Sequence, residues 1–288
     1  MNHFRFLISF LLVVCGGLPV GGQTVITTDD PAIYDMVYRP KNEERVDSPR
    51  LECLYEYTAV DTILGQTALA QTLLQVGDGW TKFQPYYEYW KDSVCWRSDW
   101  KITYGEFLKI KARPAQSTLT ESQLRNVADG DITCMGNVGM DYYIYEDSTA
   151  RMEWTLLADT ATVCGYPCRK AKAWFRGRQW EAWYTEEIPV DAGPWKFNGL
   201  PGLILRARTT DDMLMFDAVA LRKPGAYYIA RTFPERGDQR PTRETVLELE
   251  YNAARMTEQY LRSRVKVVST SPGKRLPQRM FYQPLELE

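Results

Sequence analysis

Short runs of alternating apolar and polar side chains, spread over residues 51–233, constrain the fold of this chain more than any other feature. At residues 51–60, Leu51 and Cys53 fall on one side of an extended chain and Glu52 falls on the other. A period of two is typical of a strand with one buried face. The chain is therefore predicted to build its core around a sheet.

Turn-forming residues separate these runs, which predicts antiparallel hairpins. Gly77-Asp78-Gly79, Asp147-Ser148 and Arg176-Gly177-Arg178 are such turns. Strands are predicted, in chain order, at 51–60, 67–76, 80–83, 101–112, 141–146, 150–157, 168–175, 179–185, 203–209, 213–221 and 226–233.

Two stretches fit this pattern less well. Residues 84–97 predict a short helix or an irregular segment, and residues 115–128 predict a loop with a short helix. The second prediction rests on Thr120 and Gln123, which have the spacing of a capping box.

One long helix is predicted over residues 243–264. Its apolar positions recur at intervals of three and four residues, as on one face of an α-helix; they are Val246, Leu249, Ala253, Met256 and Tyr260. A tail at about 266–288 is expected to be extended. The predicted fold class is α+β and mostly β, with a curved antiparallel sheet of successive hairpins and one long C-terminal helix, in a single domain over residues 23–288.

Residues 1–22 have the charged, apolar and small-residue order of an export signal. The apolar run is too short to span a bilayer, and no later stretch is apolar enough to do so. The mature protein is therefore expected to be periplasmic or secreted. Cys15 raises the alternative of a lipid-modified N-terminus, but Val14 stands where such a site needs a small residue.

The only histidine, His3, lies inside this predicted signal. Because Arg5 is the one charged residue removed, cleavage would leave 34 basic and 37 acidic residues, a net charge of −3. A chain without histidine excludes Ser-His-Asp and Cys-His catalysis and His-ligated metal sites. The sequence therefore favours a non-enzymatic protein with no cofactor and no metal.

Five cysteines would remain after cleavage, an odd number that allows at most two disulfides. Cys164 and Cys168 flank a Gly-Tyr-Pro turn, and an oxidising compartment favours a bridge between them. The partners of Cys53, Cys95 and Cys134 stay open.

The segment from Ala192 to Leu205 reads AGPWKFNGLPGLIL, and two further stretches belong to the same pattern, Ala182-Trp183-Tyr184-Thr185 and Pro284-Leu285-Glu286-Leu287. This pattern resembles the GLPGLI family of exported bacterial proteins, named for the string at Gly199–Ile204. The resemblance implies a β-rich domain in a Gram-negative envelope. It implies no settled activity and no catalytic residue.

The signature string allows two interpretations. It forms either a rigid connection whose leucines enter the core or a binding loop held on a scaffold. Glycine and proline suit both, because they permit or fix unusual backbone angles. The residues concerned are Gly199, Leu200, Pro201, Gly202, Leu203 and Ile204.

Aromatic residues near the signature are the candidate ligand-binding residues. Trp174 and Trp183 lie opposite the small and apolar positions of their strands, with Tyr184 and Trp195 nearby. An open face would let a glycan, a peptide or a lipid chain stack there, whereas core packing is the alternative. Basic residues of the same hairpin leave contact with an anionic surface open, but export and the acidic total argue against nucleic acid.

The sequence leaves three functions open. The first is an exported, non-enzymatic cell-envelope protein that binds an apolar or aromatic-stacking ligand or a partner protein. The second is a hydrolase that acts on glycans with carboxylates alone, and the third is a structural or assembly factor. Convergent acids in an aromatic cleft would favour the hydrolase, and a concave apolar groove without them would favour binding.

Overall fold

A computed structural model describes residues 42–111, 119–138, 141–148, 152–233, 240–255 and 279–288, with the single positions 35, 37 and 259. The predicted signal at 1–22, with Cys15, lies outside the described residues.

The described residues are mostly β. Their strands are β1 (Glu43–Asp47), β2 (Leu51–Asp61), β3 (Gln66–Val76), β4 (Trp80–Pro85), β5 (Ser122–Asn126), β6 (Asp131–Val138), β7 (Asp141–Ser148), β8 (Thr155–Val163), β9 (Tyr166–Phe175), β10 (Arg178–Thr185), β11 (Leu203–Thr209), β12 (Leu214–Arg222) and β13 (Ile229–Thr232). Eleven of them form one open antiparallel sheet, in the order β7-β6-β5-β4-β3-β2-β12-β11-β10-β9-β8. β1 and β13 pair in a separate two-stranded sheet.

The helices are α1 (Tyr86–Arg97), α2 (Tyr104–Lys111) and α3 (Arg243–Arg255). None of the helices in the described part of the chain has the length and apolar character that a membrane crossing requires.

The clearest period-two runs are confirmed as paired strands. β2 and β3 pair along their whole length, with Leu51 opposite Val76 at one end. β9 and β10 form the predicted hairpin, and its turn residues Arg176 and Gly177 both take a positive φ. Strong local alternation and turn residues therefore sufficed to locate these hairpins.

The predicted strand at 101–112 is wrong, because most of it is helix α2. Thr103 caps this helix, since its hydroxyl accepts a hydrogen bond from the Glu106 amide at 3.2 Å. The Glu106 carboxylate in turn accepts one from the Thr103 amide at 2.8 Å. This reciprocal capping box begins a helix that the alternation obscured.

The predicted pairing of 141–146 with 150–157 is also wrong. β7 pairs with β6, and β8 pairs with β9 at the opposite end of the sheet. Part of the loop predicted at 115–128 is strand β5. Buried polar side chains, including Gln123 and Thr133, interrupt the apolar alternation that would have revealed β5 and β6.

The predicted disulfide between Cys164 and Cys168 is not formed, because all five described cysteines are free thiols. Cys164 and Gly165 form the turn between β8 and β9, each with a positive φ. The register then places Cys168 opposite Ala161. The hairpin therefore directs these two cysteines to different positions, one in the turn and one within the paired strands.

The open sheet is strongly curved. In a flat sheet, β7 and β9 would be roughly 40 Å apart, because nine strand spacings separate them. Yet Arg176, at the end of β9, places a guanidinium nitrogen 2.7 Å from a carboxylate oxygen of Asp147 in β7. The sheet must therefore curl until its two ends meet, and we call the enclosed side the inner face.

The main core fills the inner face. It contains buried residues of β2–β4 and β9–β12, together with the connection between β10 and β11. Trp180 and Phe197 meet there edge to face with their centroids 4.7 Å apart. The outer face is covered at one end by the two-stranded sheet, whose Ile229 packs with Leu124 and Ile144.

Helix α3 covers the inner face of β6 and β7. Val246, Leu249 and Ala253 pack there, as their spacing predicts. Of residues 256–264, to which the predicted helix extends, the structure describes only position 259. The described tail residues 279–288 form no helix or strand and lie against the main core, where Phe281 and Leu285 pack.

We expect Gly202→Ala to destabilise the fold, because an added Cβ would overlap the carbonyl oxygen of Thr185. Overpacking against backbone costs about 1–3 kcal/mol or more. Gly79→Ala is the matched control, since its Cβ would meet only Asp47, at 3.9 Å. Urea unfolding measures both, and equal midpoints for the two variants would contradict this account of Gly202.

Candidate functional site

Lys196 lies at the centre of a buried polar cluster. The connection between β10 and β11 carries it into the interior, where its side chain is 0% exposed. Its ammonium group lies 2.8 Å from a carboxylate oxygen of Asp147 and 3.2 Å from the hydroxyl of Tyr145. It also donates to the carboxylate of Glu286 in the C-terminal tail.

Two arginines complete this cluster. Arg176 contacts Asp147 and lies 3.7 Å from Glu286. Arg243, in the first turn of α3, binds the Glu286 carboxylate and the main-chain oxygen of Glu288. We call Lys196, Asp147, Glu286, Arg176, Arg243 and Tyr145 the Lys196 network.

The Lys196 network holds its lysine in the charged form. Burial by itself would lower the pKa of Lys196, but the surrounding acidic groups, which include Glu286 and Asp147, outweigh it and raise the pKa. Burial also raises the pKa of Tyr145. A protonated, ion-paired lysine is no nucleophile, so the geometry suits a structural lock.

Two further acids converge beside this network. The Tyr143 hydroxyl lies 3.2 Å from Glu121 and 3.4 Å from Glu250, and the Tyr145 hydroxyl lies 3.0 Å from Glu121. Gly136 leaves room for this arrangement, because a Cβ there would press on the Tyr143 hydroxyl at 2.8 Å.

Glu121 and Glu250 have raised pKa values. Burial is the main cause for both, and the charge of Glu121 adds to it at Glu250, whose pKa rises to about 8. The Tyr143 hydroxyl has only one proton to donate. A protonated Glu250 can supply the second hydrogen bond at this junction, which agrees with the direction of the shift.

The described thiols are poorly suited to nucleophilic chemistry. Burial raises the pKa of Cys53 to about 12. Burial likewise raises the pKa of Cys134 and of Cys168. A thiol must lose its proton to react, so these cysteines behave as small apolar core residues.

A groove of about 800 Å³ opens on the outer face, beside β7 and the two-stranded sheet. We call it the outer groove. Its apolar lining comes from Trp80, Ile144, Phe233 and Pro241, and its charged lining comes from Asp129, Asp131, Glu146, Asp147, Arg231 and Arg240. Neither Glu121 nor Glu250 lines it.

The groove walls differ in charge. Asp131 and Glu146 lie on the β6–β7 side, where Glu146 accepts a hydrogen bond from the Thr133 hydroxyl at 2.9 Å. Arg231 lies on the opposite side, with its guanidinium 4.7 Å from the centre of the Trp80 ring. This arrangement suits a polar, extended molecule better than a purely apolar one.

The four aromatic residues predicted to bind a ligand do not share one surface. Tyr184 and Trp195 are buried in the inner-face core. Trp183 faces outward but is covered by Lys170, Arg206 and Arg208, whose charges lie 5.1, 5.7 and 5.2 Å from its ring. Trp174 is 67% exposed.

The signature string belongs to the core connection. Leu200, Leu203 and Ile204 are buried, and the carbonyl of Ile204 accepts a hydrogen bond from the Tyr55 hydroxyl at 2.7 Å. Gly199 has a φ of 90°, a conformation that favours glycine. Gly202 lies against the backbone of Thr185. These contacts fix the path that places Lys196.

Sequence reasoning did not single out Lys196, Asp147, Glu121 or Glu250. A signal for Lys196 was available, because it stands between Trp195 and Phe197 in an otherwise apolar block. A lysine in such a block needs a buried partner. No comparable local signal identified its carboxylate partners, which are remote in sequence.

Residues 175–206 match the model of a family described as "Protein of unknown function (Porph_ging)". The match includes β10, Lys196 and the signature string, and it is compatible with the resemblance based on that string. No curated protein matches the chain.

Two solved structures of PNGF-II are similar at low identity. The structure in space group P21 has a TM-score of 0.48 and 14% identity, over 72% of this chain and 34% of that one. The structure in space group C2 has a TM-score of 0.45 and 15% identity, over 71% and 33%. The chain thus spans about a third of the length of these proteins.

We expect Lys196→Met to destabilise the protein by about 3–5 kcal/mol, because it leaves Asp147 and Glu286 buried without their central cation. Lys101→Met is the matched control, since Lys101 is 78% exposed. Urea unfolding measures both variants. A loss for Lys196→Met no larger than that of the control would contradict a structural role for the ion pairs.

Glu250 should make stability depend on pH. Its folded-state pKa of about 8 exceeds the ordinary value of 4.5. Its contribution to the free energy of unfolding is therefore present at low pH and is lost as pH rises towards 8. Glu250→Gln should flatten this decline in thermal unfolding between pH 5 and pH 9. Glu248→Gln, on the exposed side of the same helix, should keep the wild-type profile.

Proposed function

We propose that this protein is an exported, non-enzymatic component of the cell envelope that binds a partner in the outer groove. The observation that carries the proposal is the groove itself, about 800 Å³ in volume and lined by both apolar and charged residues. Export rests on the signal-like order of residues 1–22.

The non-enzymatic part of the proposal rests on how the ionisable groups are used. Lys196 is ion-paired with Asp147 and Glu286 inside the fold. The thiols of Cys53 and Cys134 are buried and protonated. Lys196, Glu286 and these thiols lie inside the fold, and Asp147, which lines the outer groove, is already ion-paired with Lys196 and Arg176.

The glycan hydrolase is the second candidate, and one observation favours it. Glu121 and Glu250 converge on the Tyr143 hydroxyl, and both have raised pKa values. Carboxyl pairs of this kind can divide acid and base roles. Glu250 belongs to α3, however, and neither acid lines the outer groove.

The deciding experiment purifies the full chain from its native envelope and identifies bound molecules by mass spectrometry. We expect a molecule that co-purifies with the wild-type protein and is lost from the double variant Phe233→Asp/Glu146→Arg. The control variant Asp159→Lys, on the far strand β8, should retain it. Loss with Trp174→Ala instead would assign binding to the exposed tryptophan. Glycan turnover that disappears in Glu250→Gln would establish the hydrolase and overturn the proposal.

A further inference from the structure

Strand β7 is an edge strand of the large sheet, because the sheet curls without pairing β7 with β8. It is the last strand in the order, and no strand in the described part of the chain pairs with its outer side. Alternate residues of such a strand direct their N–H and C=O groups away from the sheet. An exposed edge of this kind can pair with another extended chain.

The outer groove borders this strand. Four consecutive residues of β7, from Ile144 to Asp147, line it. Side chains of a strand alternate between the two faces of the sheet, so Tyr145 and Asp147, whose side chains face inward, border an outer-face groove through the main chain of β7. The groove therefore presents main-chain hydrogen-bonding groups as well as side chains.

The side chains at this edge define a chemical pattern. Glu146 is the cross-strand neighbour of Thr133, so Asp131, Thr133 and Glu146 share the outer face. Within the described residues, neither Asp131 nor Glu146 forms an ion pair. Ile144 lies two residues from Glu146 on the same face. An added strand would meet an apolar position and then an acidic one.

Resting on the proposed function, we propose that the partner is an extended peptide segment that adds to β7 as a further strand, with an apolar side chain opposite Ile144 and a basic one opposite Glu146. Main-chain pairing supplies affinity in this mode, and alternate side chains supply specificity. The binding site is thus selective for unstructured or edge-strand segments with a Lys or Arg two positions from an apolar residue.

The test uses three blocked octapeptides of alternating Val and Thr. The first carries one Lys in place of a Thr, the second carries Glu there, and the third is the Lys peptide with its alternate amides N-methylated. We expect the Lys peptide to bind full-length protein at least about tenfold more tightly than the Glu peptide. N-methylation should abolish binding, because it removes the donors that pair with the strand.

Two protein variants and hydrogen exchange make the test specific. Glu146→Lys should reverse the peptide preference, and Asp159→Lys on the other edge strand, β8, should leave it unchanged. Peptide binding should slow amide exchange in residues 141–148. Protection of β8 instead, or an unchanged preference in Glu146→Lys, would overturn strand addition at β7.

Strand addition at β7 and binding in the outer groove can fail separately. If a native molecule still depends on Phe233 and Glu146 while no peptide protects β7, the groove binds but strand addition is wrong. If no native molecule depends on the groove and no peptide binds, both proposals are overturned.

Discussion

A buried positive charge at the meeting point of the two ends of the sheet organises this protein. Removing the Lys196 ammonium from water is costly, and only matching carboxylates with good geometry offset that cost. Asp147 comes from β7 and Glu286 from the C-terminal tail. The same cluster is held by Arg176 and Arg243, so one network joins the two sheet ends, the last helix and the tail.

Because of this requirement, the Lys196 network selects one arrangement of the sheet as much as it stabilises that arrangement. A buried ion pair contributes little against an apolar replacement of the same volume, yet losing one partner is strongly unfavourable. Any alternative arrangement of the sheet that separates Lys196 from Asp147 is therefore disfavoured. Apolar side chains can pack in many ways, whereas these hydrogen bonds form only when the two ends of the sheet are at the right distance and orientation.

Closure of the inner face also decides where the protein can meet other molecules. The connection that carries Lys196 fills the enclosed side with Trp195 and Phe197. Tyr184 and Trp195, two of the four aromatic residues that the sequence offers as a stacking surface, thus become core. What stays accessible is the outer face and its strand edges, where the outer groove lies. The Lys196 network on the inner face and the groove on the outer face are both consequences of one curved sheet.

The sequence by itself determined the mostly β character, the β2–β3 and β9–β10 hairpins and the packing face of α3, because each depends on local periodicity and turn residues. Only the tertiary structure decided that β7 pairs with β6, that Cys164 and Cys168 stay apart, and that Lys196 meets Asp147 and Glu286. The physical reason is range. Alternation and turns act between neighbours in the chain, whereas the partners of a buried charge are chosen by sheet curvature across as many as 90 residues of separation.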